Sequence, residues 1–526
     1  MDIALHTAGS GTVRGRYTFL RKAVLAALLV ALGDRLFFFN WYGSTVGIFA
    51  AALLVALLIA TPAIGRSRSA LTAAAAAFLY AIALGDDPSL LAWALFWTAA
   101  TFAALLPRTS GFDNAFRWGV RFLIHAPASF FAPFMDLARL RRLRRERAHR
   151  ARRRLPLGLL AVPALGSLVF LSLFAAANPV ISGALNRLDA RALIEPLTVV
   201  RMAFWIPFLL LAWGLLKPPR YQLAAAVADA EPVDLPGFGP ASVALSLIAF
   251  NTVFALQNAL DLAFLWSGAQ LPRGTGFAEY AHQGAYPLIA TALLAGLFVL
   301  VALKPGSPTA ANAAIRRLVY LWIAQNVFLV ASTMLRTLDY VEAYSLTRLR
   351  IAALLWMALV AIGLILICYR VRRERSGAWL INANAAAAAL VLTLCAFVDL
   401  GSVAAHWNVS HAREVGGRGA AIDLCYLDQL GPSALVALAE LESGPVPADL
   451  RDRAAAVRTR VMADAEAYQS DWHGWTFRNQ RRLAEVRRIA AGGGLRKVVP
   501  SDRDCEGRPY RPVEPPSVAP QATGQR

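Results

Sequence analysis

LVYLWIAQNVFLVASTML, residues 318–335, runs eighteen residues without a charged side chain. RTLDYVEAYSLTRLR follows at 336–350, and IAALLWMALVAIGLILICY, at 351–369, is again uncharged over nineteen residues. At about 1.5 Å of rise per helical residue, each apolar run approaches the roughly 30 Å of a bilayer's hydrocarbon core. The stretch therefore reads as two membrane-spanning helices joined by a short polar loop, and that reading sets the fold class of the chain.

Similar runs lie at 23–39, 45–63, 70–84, 90–106, 157–177, 197–216, 241–265, 286–303 and 380–399, which makes about eleven spans; the third is short and alanine-rich. Over 526 residues the chain is 57% hydrophobic and only 16% charged, too little charge to cover a soluble protein of this length. The expectation is an all-α polytopic integral membrane protein. Residues 1–400 form the transmembrane part, 401–511 a small helical tail, and 512–526 a proline-rich, disordered end.

The net charge of +20 would suit a nucleic-acid partner, but its distribution argues against one. From Gly401 to Arg526 there are 17 basic and 15 acidic side chains, so the excess lies in the membrane part. Segments 1–22, 65–69, 107–156, 217–240, 304–317 and 370–379 hold 28 Lys and Arg, and the alternate set 40–44, 85–89, 178–196, 266–285 and 336–350 holds six. Positive residues favour the cytoplasmic side. The N-terminus is therefore expected inside and, after an odd number of spans, the tail outside a bacterial cytoplasmic membrane. RYTFLRKAVLAALLVALG at 16–33 has the charged start and apolar centre of a secretory signal. It is followed by Asp34, Arg35 and LFFFNWY rather than a small-residue cleavage pattern, so it reads as an uncleaved first span.

The longest basic segment, 107–156, holds ten arginines between Arg139 and Arg154. Beyond setting topology, such a run attracts anionic lipid headgroups, at about 1 kcal/mol per basic residue near the surface. Just upstream, FDNAFRWGVRFLIHAPASFF mixes aromatics with arginines as an interfacial helix does. In the tail, PADLRDRAAAVRTRVMADAEAYQ and Trp475–Ala491 read as helices, with breaks at Gly431-Pro432 and near Pro445 and Pro447.

The chain holds no Walker loop, GxSxG, HExxH or paired CxxC. In AAHWNVSHAR, 404–413, His406 and His411 are five residues apart, about 140° around a helix, which suits no shared metal. Trp407 reads as an interfacial anchor where the chain leaves its last span. No metal and no cofactor is expected. Cys368 and Cys395 fall in spans, as packing residues, whereas Cys425 and Cys505 fall in the exported tail and are expected to pair. Asn251, Asn258 and Asp261 share one face of the 241–265 span, with Gln257 beside them, and Gln325, Ser332 and Arg336 share a face of the 318–335 run and its end. Such faces point into a bundle, as interhelical hydrogen bonds or as the lining of a path.

FAEYAHQGAYPLIATALLAG at 277–296 and the stretch from Leu318 to Met357 resemble a group of bacterial multi-pass membrane proteins catalogued only as a domain of unknown function, the four-one-seven-three group and its four-one-five-three relatives. ANPV at 177–180, AWGLLKPPR at 212–220, WNVSHA at 407–412 and DLCYLDQLGPSALVAL at 423–438 extend the resemblance. His282 stands where that group usually has arginine and Ser345 where it usually has glycine. The resemblance implies a fold and no activity. The topology brings three distant segments to one outer face, with Glu279, Tyr280, His282, Arg336, Glu342, Tyr344, Arg350 and His411 as candidate ligand-binding residues, joined by Asp339 and Arg348. They are read either as ion pairs clamping span ends or as a site for a ligand or protein partner. A binding, sensing or scaffolding component without chemistry of its own is the leading expectation. A transporter or flippase using the two polar faces comes second. Third is an enzyme on lipid-linked substrates with Glu279, Glu342 and Arg350 as base and phosphate clamp.

Overall fold

The computed structural model describes residues 7–109, 111–150, 196–218, 239–263, 307–496 and 503–509, with a few isolated positions between them. These residues are helical almost throughout, and they fall into two compact units. One comprises Met1–Leu84, Trp93–Asp113 and Arg117–Ala230, the other Gly85–Ala92, Asn114–Phe116 and Glu231–Arg526. The tail thus shares a unit with the spans from residue 231 onward, because its helices are bonded to their connecting loops.

The first unit holds α1 (Thr7–Phe37), α2 (Thr45–Ala60), most of α3 (Arg68–Asp86) and α4 (Leu90–Leu105), α5 (Ala115–Arg150) and α6 (Pro196–Leu216). α1 lies along α6, and Gly33 makes the approach possible, since a Cβ there would sit 2.5 Å from Phe208 Cδ1. Phe208 packs edge-on to Phe49, with ring centroids 5.3 Å apart. Asp34 accepts from Arg201 Nε at 2.7 Å and Trp205 Nε1 at 2.9 Å. The basic segment expected as a long connection is largely one helix, α5, with Pro127 and Pro133 inside it. The arginine run therefore rides on a helix as far as Arg150.

Among the described residues, seven helices are long and apolar enough to cross a membrane: Arg68–Asp86, Leu90–Arg108, Val199–Leu216, Pro240–Asp261, Ala313–Tyr344, Arg348–Arg373 and Gly377–Phe397. The alanine-rich third run is among them. The expected spans at 157–177 and 286–303 lie mostly, and the expected end at 512–526 wholly, outside the described residues. α2, at sixteen residues, is short for a span. In α1 only residues 23–33 lie between Lys22 and Asp34 without a charge. The described residues therefore give seven spans where about eleven were expected.

The second unit holds α7 (Pro240–Asp261), the single turn α8 (Pro308–Ala311), α9 (Ala313–Tyr344), α10 (Arg348–Arg373), α11 (Gly377–Phe397) and the tail helices α12 (Leu400–His411), α13 (Leu424–Leu430), α14 (Leu435–Ser443), α15 (Ala448–Ser470) and α16 (Phe477–Ala491). Side-chain caps set several starts. Asn312 Oδ1 accepts from Ala314 N–H at 2.9 Å, Thr347 Oγ1 from Arg350 N–H at 3.3 Å, and Thr476 Oγ1 from Asn479 N–H at 3.2 Å. Gly431, at φ +58°, ends α13 where the Gly-Pro break was expected. The tail core gathers Leu424, Leu427, Leu438, Val457, Val461 and Leu483, all buried, and reaches Val341 and Leu346 at the α9–α10 junction. AAHWNVSHAR does not simply end the last span. It belongs to a separate helix, α12, whose Ala404 and Ala405 are fully buried in the tail core.

Candidate functional site

The two polar faces read from the sequence meet. Gln325 Nε2 donates to Asn251 Oδ1 at 2.8 Å, Asn251 Nδ2 to Leu318 O at 3.1 Å, and Asn258 Nδ2 to Gln325 O at 3.2 Å. At one end of this seam Arg336 and Asp261 form an ion pair with both side chains buried, and Gln257 Nε2 donates to Asp261 Oδ1 at 2.9 Å. Hydrogen bonds between α7 and α9 replace water for groups that an apolar surrounding would otherwise penalise.

That pairing changes the expected outer cluster. Arg336 is expected near Glu279, Glu342 and Arg350; among the described residues it pairs with Asp261. The Arg350 guanidinium has no ion pair among the described residues. It lies 4.3 Å above the Tyr340 ring and donates to Tyr344 O at 2.5 Å and to Ser345 O. Glu342 and Tyr344 are exposed, and Tyr344 stacks with Tyr340 at 4.7 Å. Ser345 sits at φ +71°, a backbone conformation that glycine occupies without strain. His411 stacks on Trp407 at 3.9 Å, and its Nδ1 lies 3.0 Å from Trp407 O. Leu346 N–H donates to Asn408 Oδ1 at 2.6 Å and Asn408 Nδ2 returns the bond at 2.9 Å, so the helix bearing His411 is tied to the α9–α10 turn. Glu279, Tyr280 and His282 lie outside the described residues.

A second cluster, absent from the sequence reading, is better assembled. Asp86 and Asp87 at the end of α3, and Asp399 before α12, receive the arginines of α16. Arg478 Nε donates to Asp86 Oδ2 at 2.9 Å, its Nη1 to Asp87 Oδ2 at 3.1 Å, and its Nη2 to Phe397 O at 3.1 Å. Arg481 reaches Asp86 Oδ1 at 2.6 Å, and Arg482 pairs with Asp399 while donating to Ser433 Oγ at 3.1 Å. Arg348, from α10, donates to the same Ser433 Oγ at 3.1 Å, and Tyr426 OH accepts from Arg348 N–H at 2.9 Å. Only glycine fits at 401, where a Cβ would lie 2.3 Å from Arg348 Nη2 and 2.8 Å from Ser433 Cβ.

Two carboxylates of this clamp are pushed in opposite directions. Burial drives the Asp87 carboxyl above its ordinary range, and Arg478 and Arg482 only partly oppose that. Burial also acts on Asp399, but the charge and hydrogen bond of Arg482, with those of Ser402 N–H and Ser433, hold it below the ordinary range. The signal in the sequence was an Asp-Asp pair in a loop otherwise noted only for lacking basic residues, and arginines at 478, 481 and 482 on one helical face.

The segment 503–509 is fastened to the tail. Cys425 and Cys505 lie with Sγ atoms at bonding distance, 1.96 Å, and Cα atoms 4.6 Å apart. Arg503 pairs with Asp452 at 2.6 Å, and Arg453 pairs with Glu506. Asp423 and Glu506 converge on Cys425, but a sulfur in a disulfide offers no thiolate to a metal.

A family model described as Domain of unknown function (DUF4153) matches residues 70–441. It corresponds to the second of the two groups named from the motifs. No curated protein and no solved structure matches the chain.

Proposed function

Since this chain belongs to the DUF4153 family, a membership that brings no activity with it, we propose that it is a non-enzymatic binding or scaffolding component of a bacterial cytoplasmic membrane, holding its C-terminal helical domain against the outer face. The clamp of Arg478, Arg481 and Arg482 on Asp86, Asp87 and Asp399 carries this reading. Its arginines are matched to carboxylates of the chain itself, as suits a part that positions a domain. The two loops it draws on, 85–89 and 336–350, both belong to the set poor in basic residues, which is the outer set by positive-inside counting. A disulfide in the tail suits the same oxidising side.

Exposed Phe477 directly precedes Arg478, whose contact with Phe397 O places it at the end of α11, and exposed Trp472 lies in the turn before the same helix. Aromatic side chains at that level suit the headgroup region. In this reading α1, α2 and the runs at 157–177 and 286–303 complete eleven spans, the N-terminus is cytoplasmic, and Arg139–Arg154 meets anionic headgroups of the inner leaflet. Transport along the polar seam is disfavoured because Gln325 is bonded to Asn251 and Arg336 is paired with Asp261. Alkaline phosphatase fused after Arg526 should be active, and green fluorescent protein at the same point dark. The reverse result would put the tail in the cytoplasm and end the proposal.

A further inference from the structure

At the far end of α10 from the clamp, a guanidinium is buried with no ion-pair partner among the described residues. Arg370 is 3% exposed. One nitrogen, Nη2, donates to Leu303 O at 3.0 Å, whereas Nε and Nη1 are buried with no hydrogen-bond partner among the described residues. Desolvating a charge and leaving it unpaired is among the costliest arrangements a fold can hold. Here the guanidinium borders a cavity of about 170 Å³ shared with Ser307, Arg316, Glu374 and Arg375. At roughly 30 Å³ of liquid volume per water, that space takes about five or six waters, or one tetrahedral oxyanion with a few waters around it.

The walls favour an anion. Three guanidinium groups face one carboxylate, that of Glu374, which is exposed on a residue at φ +52° just past the end of the helix. Arg316 is held at the mouth by donating from Nη1 to Ala310 O at 3.0 Å, which leaves its other nitrogens for a second partner. Ser307 adds a hydroxyl, 2.8 Å from Thr309 Oγ1. Water would satisfy the donors of Arg370 but would leave its charge uncompensated. A phosphate group satisfies both, and the planar fork of arginine matches its oxygens in pairs.

We propose that this cavity binds a phosphate group between the ends of α9 and α10, either the headgroup phosphate of an anionic lipid or free inorganic phosphate. The site lies on the basic side of the spans, where pockets between helices take lipid phosphates. The chemistry does not depend on which way the protein is inserted.

The test uses the full-length protein, delipidated in detergent, with two probes: inorganic phosphate, and mixed micelles containing phosphatidylglycerol, with phosphatidylcholine micelles as the zwitterionic control. Binding is followed by the shift in thermal unfolding midpoint and by native mass spectrometry. Stabilisation by inorganic phosphate identifies a free oxyanion site, and stabilisation by phosphatidylglycerol alone identifies a lipid site; either supports the proposal. Arg316→Gln should weaken the effective probe by about tenfold, the loss of one charge-assisted contact. Glu374→Gln, at an exposed position, should tighten it severalfold by removing the repelling carboxylate, an effect that misfolding does not produce. If neither probe stabilises the wild type beyond the control, or if both variants bind as the wild type does, the proposal is wrong.

Discussion

Asp261–Arg336 and Asp399–Arg482 are the same chemical pair in different surroundings. In the first the side chains are 0% and 7% exposed, between two helices inside the bundle. In the second they are 18% and 11% exposed, and Ser433, the capped N–H groups of α12 and two further aspartates stand close by. Losing a partner inside the bundle strands a charge where little can replace it, whereas the clamp has neighbours and water to share the loss. The two sites also follow different folding logic. The seam joins helices whose polar residues repeat with the helical period, and the clamp joins Asp87 to Arg478, 391 residues away.

The contrast is tested most strongly by breaking the seam. Arg336→Met should destabilise the protein by about 3–5 kcal/mol, since it leaves Asp261 buried without its cation. Combining it with Asp261→Leu should recover most of that loss, because an apolar pair of similar volume suits the site. Chemical unfolding in detergent, followed by tryptophan fluorescence, measures both. A single variant that costs under about 1 kcal/mol, the value of an exposed pair, would show that the seam is no drier than the clamp.

The disulfide comes next in size. Cys425 and Cys505 close a loop of 80 residues, so opening it frees the unfolded tail by about 4 kcal/mol on the chain-entropy model. Cys425→Ser should therefore speed trypsin cleavage in the 496–508 region, read by mass spectrometry on folded protein. Unchanged cleavage would mean that the ion pairs Arg453–Glu506 and Arg503–Asp452 hold the segment by themselves.

The parts of this molecule that were legible in the sequence are those with local periodicity. Apolar runs of helical length give the spans, and Asn251, Asn258 and Asp261 declare a buried stripe because they recur on one side of one helix. The partner of that stripe was also visible, in Gln325, Ser332 and Arg336, although the pairing of Asp261 with Arg336 was not. Arg336 reads in the sequence with the loop that follows it, yet it lies on α9 eight residues before that helix ends, where Asp261 reaches it. The clamp is not legible in the sequence, since each half looks ordinary alone: two aspartates in a turn, and arginines on a tail helix rich in them. Nothing in a single sequence says that residues hundreds of positions apart share a charge network. α12 was misplaced for a related reason. Val398 and Asp399 break α11 and start a new helix whose cap, Asp399, also serves the clamp.

The smallest effect separates two carboxylates within the clamp itself. The folded state holds Asp399 below its unfolded value of about 3.9, through Arg482 and hydrogen bonds that outweigh burial. Its contribution is therefore present above that value and lost as pH falls through the folded one. Asp87 is raised, chiefly by burial, so its contribution is present below about 3.9 and lost as pH rises through the folded value. At pH 7 Asp399→Asn should cost about 1.5–3 kcal/mol, the range for hydrogen bonds to a charged group. Asp87→Asn should stay within about 0.5 kcal/mol of wild type and should also remove the part of the stability slope lying just above the ordinary carboxylate range. Thermal midpoints of the two variants across pH 3–7 decide the matter. If Asp87→Asn proves as costly as Asp399→Asn at neutral pH, the attraction of Arg478 and Arg482 overcomes burial at Asp87 as well, and the clamp works as one charge network rather than one strong pair with a reluctant neighbour.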